Sequence, residues 1–434
     1  MVAAPSGDRA HPRPRPCGQM RTSRTSARDA LRRVPDGARI VSGGACATPL
    51  TLLRELGTVA RERPGMQLRS GLQLGGYPFL DAVAEGALGY ATWHVRGELR
   101  DLLASGAADL VPVRASEVPA LVAAWRPDVA LVRVSSPDRH GYVSLGPSVA
   151  YTPTAVRAAR LVIAEVDEAL PRTWGGSMVH VSDIDVLVDA EDPTPEYRAG
   201  TPDETSARIA AFVLDLLPRD PVLQMGIGGV PEALTIALRD ADIGTVRFVG
   251  MATDWMVDLF EAGVLDRRAV VPDPAILAAD ALGTRKLLDF CDDNPAVGLY
   301  PSAISHDAAG LGDLERFVSI NSAVEVDLRG QVNGEMARGR QLSGVGGALD
   351  YAESAYRSPG GLRITVLPST TRSGASRIVP ALDTGAVTTV PRSLADVVVT
   401  EHGVARLRGL TVRERKEALV AIAHPDHRDE LAAA

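Results

Sequence analysis

Val222-Leu223-Gln224-Met225, Gly226-Ile227-Gly228-Gly229 and then Pro231-Glu232-Ala233-Leu234-Thr235-Ile236-Ala237-Leu238 decide the fold. The apolar run reads as a buried strand, the glycines as a tight turn, and the segment led by Pro231 as a helix with proline at its first position. A helix start leaves backbone N–H groups without intrahelical partners, aimed at whatever lies before the turn. Such donors suit a phosphate, a carboxylate or the oxyanion of a thioester under attack. A turn that is merely tight would use the same glycines.

The pattern occurs twice. Arg39-Ile40-Val41-Ser42 is followed by Gly43-Gly44, Thr48-Pro49 and the helical Leu50-Thr51-Leu52-Leu53. Strand-like runs recur between helix-like ones at 129–134, 161–166, 246–249, 317–320, 364–367 and 397–400. The alternation predicts an α/β fold of two related open, mainly parallel domains. The Asp-, Glu-, Pro- and Thr-rich run 190–205 reads as the link, giving domains at 35–201 and 202–434. Residues 1–34, rich in arginine and proline, read as a disordered leader. Arg32-Arg33 precedes no apolar segment of the kind an export signal needs.

At 434 residues the chain is long enough for more than one domain, and 45% hydrophobic residues supply sizeable cores. A net charge of −8 does not indicate a nucleic-acid partner. No apolar run approaches the roughly 18 residues of a membrane span, so a cytoplasmic protein is expected. Cys17, Cys46 and Cys291 form neither a disulfide framework nor a zinc spacing. Lys286 and Lys416 are the only lysines, which leaves few groups for Schiff-base chemistry.

Further strings carry possible chemistry: Ser136-Pro137-Asp138-Arg139-His140-Gly141-Tyr142, Ile320-Asn321-Ser322-Ala323-Val324-Glu325-Val326-Asp327, Ser343-Gly344-Val345-Gly346-Gly347, Ser376-Arg377, the run from Thr400-Glu401-His402 to Gly409, and Ala423-His424-Pro425. Together with Gln224–Gly228, and in this order from about residue 36 to about residue 431, they resemble the acetyl-CoA hydrolase/transferase family, and within it the 4-hydroxybutyrate and butyrate CoA-transferases. The resemblance implies an active site between two α/β halves, acyl-CoA as substrate with no permanently bound cofactor, and a homodimer or homotetramer. It also implies ping-pong chemistry, in which a glutamate attacks an acyl-CoA and an enzyme-bound CoA thioester forms. A carboxylate suits that step because the acyl anhydride it makes is energetically close to a thioester.

Here the sequence departs from the family. The glutamate of a string like Gly-Ile-His-Thr-Glu-Met-x-x-Asp-Gly falls on Gly250, just before Met251, when Val257–Val264 is used as the anchor. No glutamate lies between Glu232 and Glu261, so moving a gap restores none. Asp254 is the nearest carboxylate downstream; it either replaces the glutamate or caps the helix that follows. The expected reaction is acyl transfer from acyl-CoA to a small acceptor or water. Gly226, Ile227 and Gly228 would bind the oxyanion, and Asn321 and Glu401 would position the acyl group or acceptor. Gly344, Gly346, Gly347, Ser376 and Arg377 would approach CoA. Exchange of CoA through Asp254 and a non-catalytic CoA-binding role are the alternatives. Glu325 and Asp327, alternating on one strand face, read as solvated. His140 and His180 lack metal-ligand partners at convincing spacing.

Overall fold

Valine and isoleucine are concentrated in the central strands of the first sheet, where branched side chains suit burial on both faces; every residue of Val129–Val134 is buried. The chain is described from a computed structural model covering residues 23–434. Eight strands follow the order Ser23–Arg24, Val186–Asp189, Leu161–Val166, Val129–Val134, Arg39–Ser42, Met66–Ser70, Leu88–Thr92 and Asp109–Leu110. All adjacent pairs are parallel. The helix Leu50–Glu62 covers this sheet with Leu52, Leu53, Leu56, Val59 and Ala60, a helical stripe that is wholly buried.

This sheet belongs to a unit comprising, among the described residues, 23–94, Asp101–Tyr197 and Ala269–Ser305. The last segment adds Ile276–Leu282 and Val297–Leu299, which pair in parallel, with Trp174–Gly175 beside the latter. The second unit comprises Val95–Arg100, Arg198–Arg268 and His306–Ala434. Its strands run Gly403–Arg406, Val397–Thr400, Leu362–Val366, Phe317–Ser322, Val222–Met225 and Arg247–Thr253. All neighbours are parallel except the hairpin Val397–Thr400/Gly403–Arg406. Over this sheet lie the helices Gly229–Arg239 and Ala348–Arg357.

The two units repeat one local detail. In the first, Ser42 is in register with Leu131, and the next residue, Gly43, donates its N–H to the Leu131 carbonyl at 2.9 Å. In the second, Met225 is in register with Ile320, and Gly226 donates to the Ile320 carbonyl at 3.1 Å. Each glycine turn thus opens with one last ladder bond before the chain leaves the sheet.

Three expectations change. The leader does not extend to residue 34: Ser23–Arg24 pairs with Val186–Leu187, Ser26 caps the helix Ala27–Leu31, and Ala30, Leu31 and Val34 are buried. Three apolar side chains spaced along an arginine-rich stretch suffice to anchor it, which composition alone averages away. The rest of the expected leader, residues 1–22, lies outside the described residues. A single cut after residue 201 becomes a change of unit at Tyr197/Arg198, with 269–305 returning to the first unit. Finally, the helix after the second glycine turn starts at Gly229, which places Pro231 third rather than first.

Candidate functional site

Ligands of open parallel sheets bind beyond the carboxyl ends of the strands. In the second unit those ends are Met225, Thr253, Ser322, Val366 and Thr400. Gly226–Gly228, Asp254, Asn321 and Glu401 all lie at or just past them, so one end of the sheet collects most of the residues singled out from sequence.

The Gly226 amide is not a free donor, because the Ile320 carbonyl holds it; this removes Gly226 from the expected oxyanion donors. Ile227, Gly228 and Gly229 have no acceptor for their amides among the described residues. Gly228 has a φ of +131°, which only glycine adopts readily, and the helix it precedes has no side-chain cap. The first unit treats the same position differently. There the buried Glu165 carboxylate accepts from the Leu52 N–H at 3.1 Å and also from Thr51, at the start of the Leu50–Glu62 helix. Burial pushes Glu165 up to about 7, against the pull of the Arg133 guanidinium and these two amides.

Asn321 is paired with Gln224. Its Nδ2 donates to Gln224 Oε1 at 2.9 Å, and Gln224 Nε2 donates back to Asn321 Oδ1 at 3.3 Å. The Asn321 oxygen lies 3.8 Å from where a Cβ on Gly226 would stand. The pair therefore braces the glycine turn from beneath, which places Asn321 beside the amides but with its own amide engaged.

Gly250 lies inside the Arg247–Thr253 strand with a φ of +115°. A Cβ there would stand 2.9 Å from Tyr351 Oη and 3.3 Å from Gln224 Cγ. The phenol of the Ala348–Arg357 helix thus takes the space in which a side chain at position 250 would begin. Asp254 does not cap the next helix: Thr253 is the cap residue and Asp254 is the first helical residue. Its charge acts on Glu232, whose carboxyl is raised by burial first, then by Asp254 and Asp258.

The second glycine loop ends at the start of the Ala348–Arg357 helix. Gly346 has a φ of +58° with open space where a side chain would be. A Cβ on Gly347 would meet the His306 ring at 2.6 Å and Tyr351 at 2.8 Å, so this glycine is required by packing. Burial depresses His306 to about 3, and its neutral ring lies 4.7 Å from that of Tyr351. Gly344 lies in the same loop, and its carbonyl accepts from the Ser343 hydroxyl at 3.1 Å.

Ser376 and Arg377 both make hydrogen bonds within the chain. The Ser376 hydroxyl donates to the Ile378 carbonyl at 2.7 Å. Arg377 reaches the carbonyls of Ala323 and Val324 at 3.4 Å, and burial lowers its pKa. Glu401 accepts from the Ser369 amide at 2.9 Å and the Ser369 hydroxyl at 2.6 Å. Burial opposes its ionisation, yet these bonds hold its carboxyl below the usual range. Asp327 folds back on its own turn, accepting from Arg329 and Gln331.

Gln224, Tyr351, His306 and Ser369 escaped the sequence reading. Gln224 carried a signal, a lone amide in an apolar strand; Tyr351 carried only its place one turn after Gly347. Among the described residues no cluster of His, Cys, Asp and Glu is arranged to hold a metal, and no helix is long and apolar enough to cross a membrane.

Known proteins share both sequence and architecture with this chain. Profiles of the acetyl-CoA hydrolase/transferase N-terminal and C-terminal domains match residues 19–196 and 283–434. The chain is 37% identical to a 4-hydroxybutyrate coenzyme A transferase of Clostridium kluyveri, over 94% of this chain and 95% of the relative. It is 33% identical to a butyryl-CoA:acetate CoA-transferase of Anaerostipes caccae, over 94% of each. Among solved structures, RipA from Yersinia pestis matches with a TM-score of 0.87 at 28% identity, covering 95% of this chain and 96% of that one. A 4-hydroxybutyrate CoA-transferase from Porphyromonas gingivalis matches with a TM-score of 0.78 at 30% identity and the same coverage.

Proposed function

The chain belongs to the acetyl-CoA hydrolase/transferase family, and from that premise we propose that it passes an acyl group from acyl-CoA directly to a small acceptor or to water. The observation that carries this reading is the contrast between the two glycine turns. In the first unit, Glu165 satisfies the helix-start amides from within. In the second, the Ile227, Gly228 and Gly229 amides have no acceptor among the described residues. Such donors match the oxygen of a thioester carbonyl as it gains charge, and removing one oxyanion donor typically costs about 2.7–4 kcal/mol of transition-state stabilisation.

The position that would supply a glutamyl nucleophile is Gly250, and Tyr351 fills the adjoining space. In the proposed step, the oxygen or nitrogen of the acceptor bonds to the acyl carbon while the C–S bond breaks. The electron pair leaves with sulfur, the acceptor's proton goes to solvent or to the thiolate, and free CoA is released. The Gly346 loop, with room beside it, is the proposed approach for CoA. Exchange between carboxylic acids through Asp254 is the second reading, favoured by its place just past the end of the Gly250 strand.

Release of CoA thiol from acetyl-, butyryl- and 4-hydroxybutyryl-CoA, with acetate, an alcohol, an amine or no acceptor present, tests the proposal. Thiol release without added carboxylate, stimulated by an alcohol or amine, is expected. Appearance of a new acyl-CoA, with no net thiol release and only when a carboxylate is supplied, would overturn it.

A further inference from the structure

We propose that Glu232 is the general base of the transfer, its carboxylate taking the proton of the attacking alcohol, amine or water and returning it to the departing thiolate. This role rests on the reading that direct transfer takes place at the Gly226–Gly228 turn.

Glu232 is the fourth residue of the helix Gly229–Arg239 and so stands in its first turn. Helical side chains lean toward the N-terminus, which directs Glu232 to the end where the Ile227, Gly228 and Gly229 amides lack an acceptor. A carboxylate in a first turn is well placed to accept from such amides. This one does not. The helix has no side-chain cap, and among the described residues Glu232 has neither a hydrogen-bond donor nor a basic partner. The first unit shows the contrast, since Glu165 there holds the Leu52 amide and faces Arg133.

The surroundings make Glu232 a stronger base than an exposed carboxylate. It is half-buried, and burial raises it first; the charges of Asp254 and Asp258 raise it further. Both aspartates belong to the helix Asp254–Glu261, which packs on Gly229–Arg239. The helix Glu204–Leu214 packs on it too, but Glu204 and Arg208 pair with each other at 2.6 Å, and no charge of that helix acts on Glu232. A base serves best when its pKa approaches the working pH.

Donors for the acceptor lie close by. Asp254, near enough to act on Glu232, is flanked by Thr253 and Trp255, which are 5% and 4% exposed. The Thr253 hydroxyl and the Trp255 Nε1 are buried without a hydrogen-bond partner among the described residues. Thr253 even stands at the cap position of its helix without bonding to it. An acceptor oxygen or nitrogen brings lone pairs to such donors and keeps its own proton for Glu232. Glu232, Asp254 and Asp258 together repel an anion, which selects a neutral or cationic acceptor over a carboxylate. As the acceptor atom bonds to the acyl carbon, its proton moves to Glu232. The C–S bond then breaks, the electron pair leaves with sulfur, and Glu232 returns the proton to the thiolate, so that the carboxylate is restored and CoA thiol is released.

The pH dependence of thiol release from butyryl-CoA tests this, with a small alcohol as acceptor because it does not titrate. The unaltered protein is expected to gain activity as pH rises through an ionisation above the usual carboxylate range, since only the ionised base accepts a proton. Glu232→Gln is expected to lose about 10²–10⁴-fold in kcat, and the acid limb of the profile with it. Glu232→Asp, which restores a carboxylate on a shorter stem, is expected to recover part of both. Affinity of the Gln variant for an unreactive S-alkyl thioether of CoA is expected to be unchanged. Its thermal midpoint is expected not to fall, because the substitution removes a charge that Asp254 and Asp258 repel. A Gln variant that keeps its rate or its acid limb would overturn the assignment and leave direct transfer standing. So would a loss of rate matched by an equal loss of thioether affinity. An unaltered protein that releases no thiol with any acceptor would remove direct transfer, and the base with it.

Discussion

Gly250 combines a backbone φ of +115° with a tyrosine oxygen 2.9 Å from where its Cβ would be. Either feature alone would favour glycine; together they make position 250 intolerant of any side chain. Gly250→Ala is therefore expected to destabilise the protein by about 1–3 kcal/mol, the typical cost of an L-residue in such a conformation. A lowered urea midpoint would show this, and an unchanged midpoint would contradict the described backbone. The sequence reads as lacking the family's glutamate here, because the only carboxylates between Glu232 and Glu261 are aspartates. It did not expose what fills the gap, because Tyr351 is a hundred positions downstream and only the packing of its helix brings it near. The same limit explains Asn321, Ser376 and Arg377. Residue type marked them as able to bind a ligand, while their actual partners (Gln224, Ile378, and the carbonyls of Ala323 and Val324) depend on strand register.

At the scale of elements, the strand, glycine turn and helix was legible twice, since a short β-branched run followed by glycine and proline has few other readings. Arg39–Ser42, Val129–Val134, Leu161–Val166 and Val397–Thr400 fall where their sequences place them. Ile276–Leu282 escaped, since Leu-Ala-Ala-Asp-Ala-Leu has helical propensity, and sheet pairing, as with Val297–Leu299, overrides it. Chemically the two helix starts diverge. Glu165 closes the first and is raised to about 7 by burial, even though Arg133 lies 3.1 Å away. A group raised in the folded state stabilises below its unfolded value of 4.5, and that contribution is lost as pH rises through about 7. Glu165→Gln keeps a side-chain oxygen for the Leu52 amide but removes the titration. Thermal unfolding of this variant is expected to vary less between pH 4.5 and 7 than that of the unaltered protein. Parallel pH profiles would show that Glu165 is not the group responsible.

For the whole molecule, sequence resemblance conveyed the family and the α/β class, but not the way the chain is apportioned. Residues 269–305 follow the second glycine turn in sequence yet pack with the first unit. Composition changes little there, so no linker signal marks the return. The family assignment accounts for the handling of CoA thioesters; direct transfer in place of CoA exchange is our proposal, and it rests on the glycine at position 250. The most direct test is the intact mass of the protein after incubation with butyryl-CoA and borohydride trapping. Direct transfer predicts an unmodified mass together with free CoA in solution. A protein carrying CoA, or a borohydride-reduced carboxylate mapped to Asp254 or any other acidic residue, would contradict it.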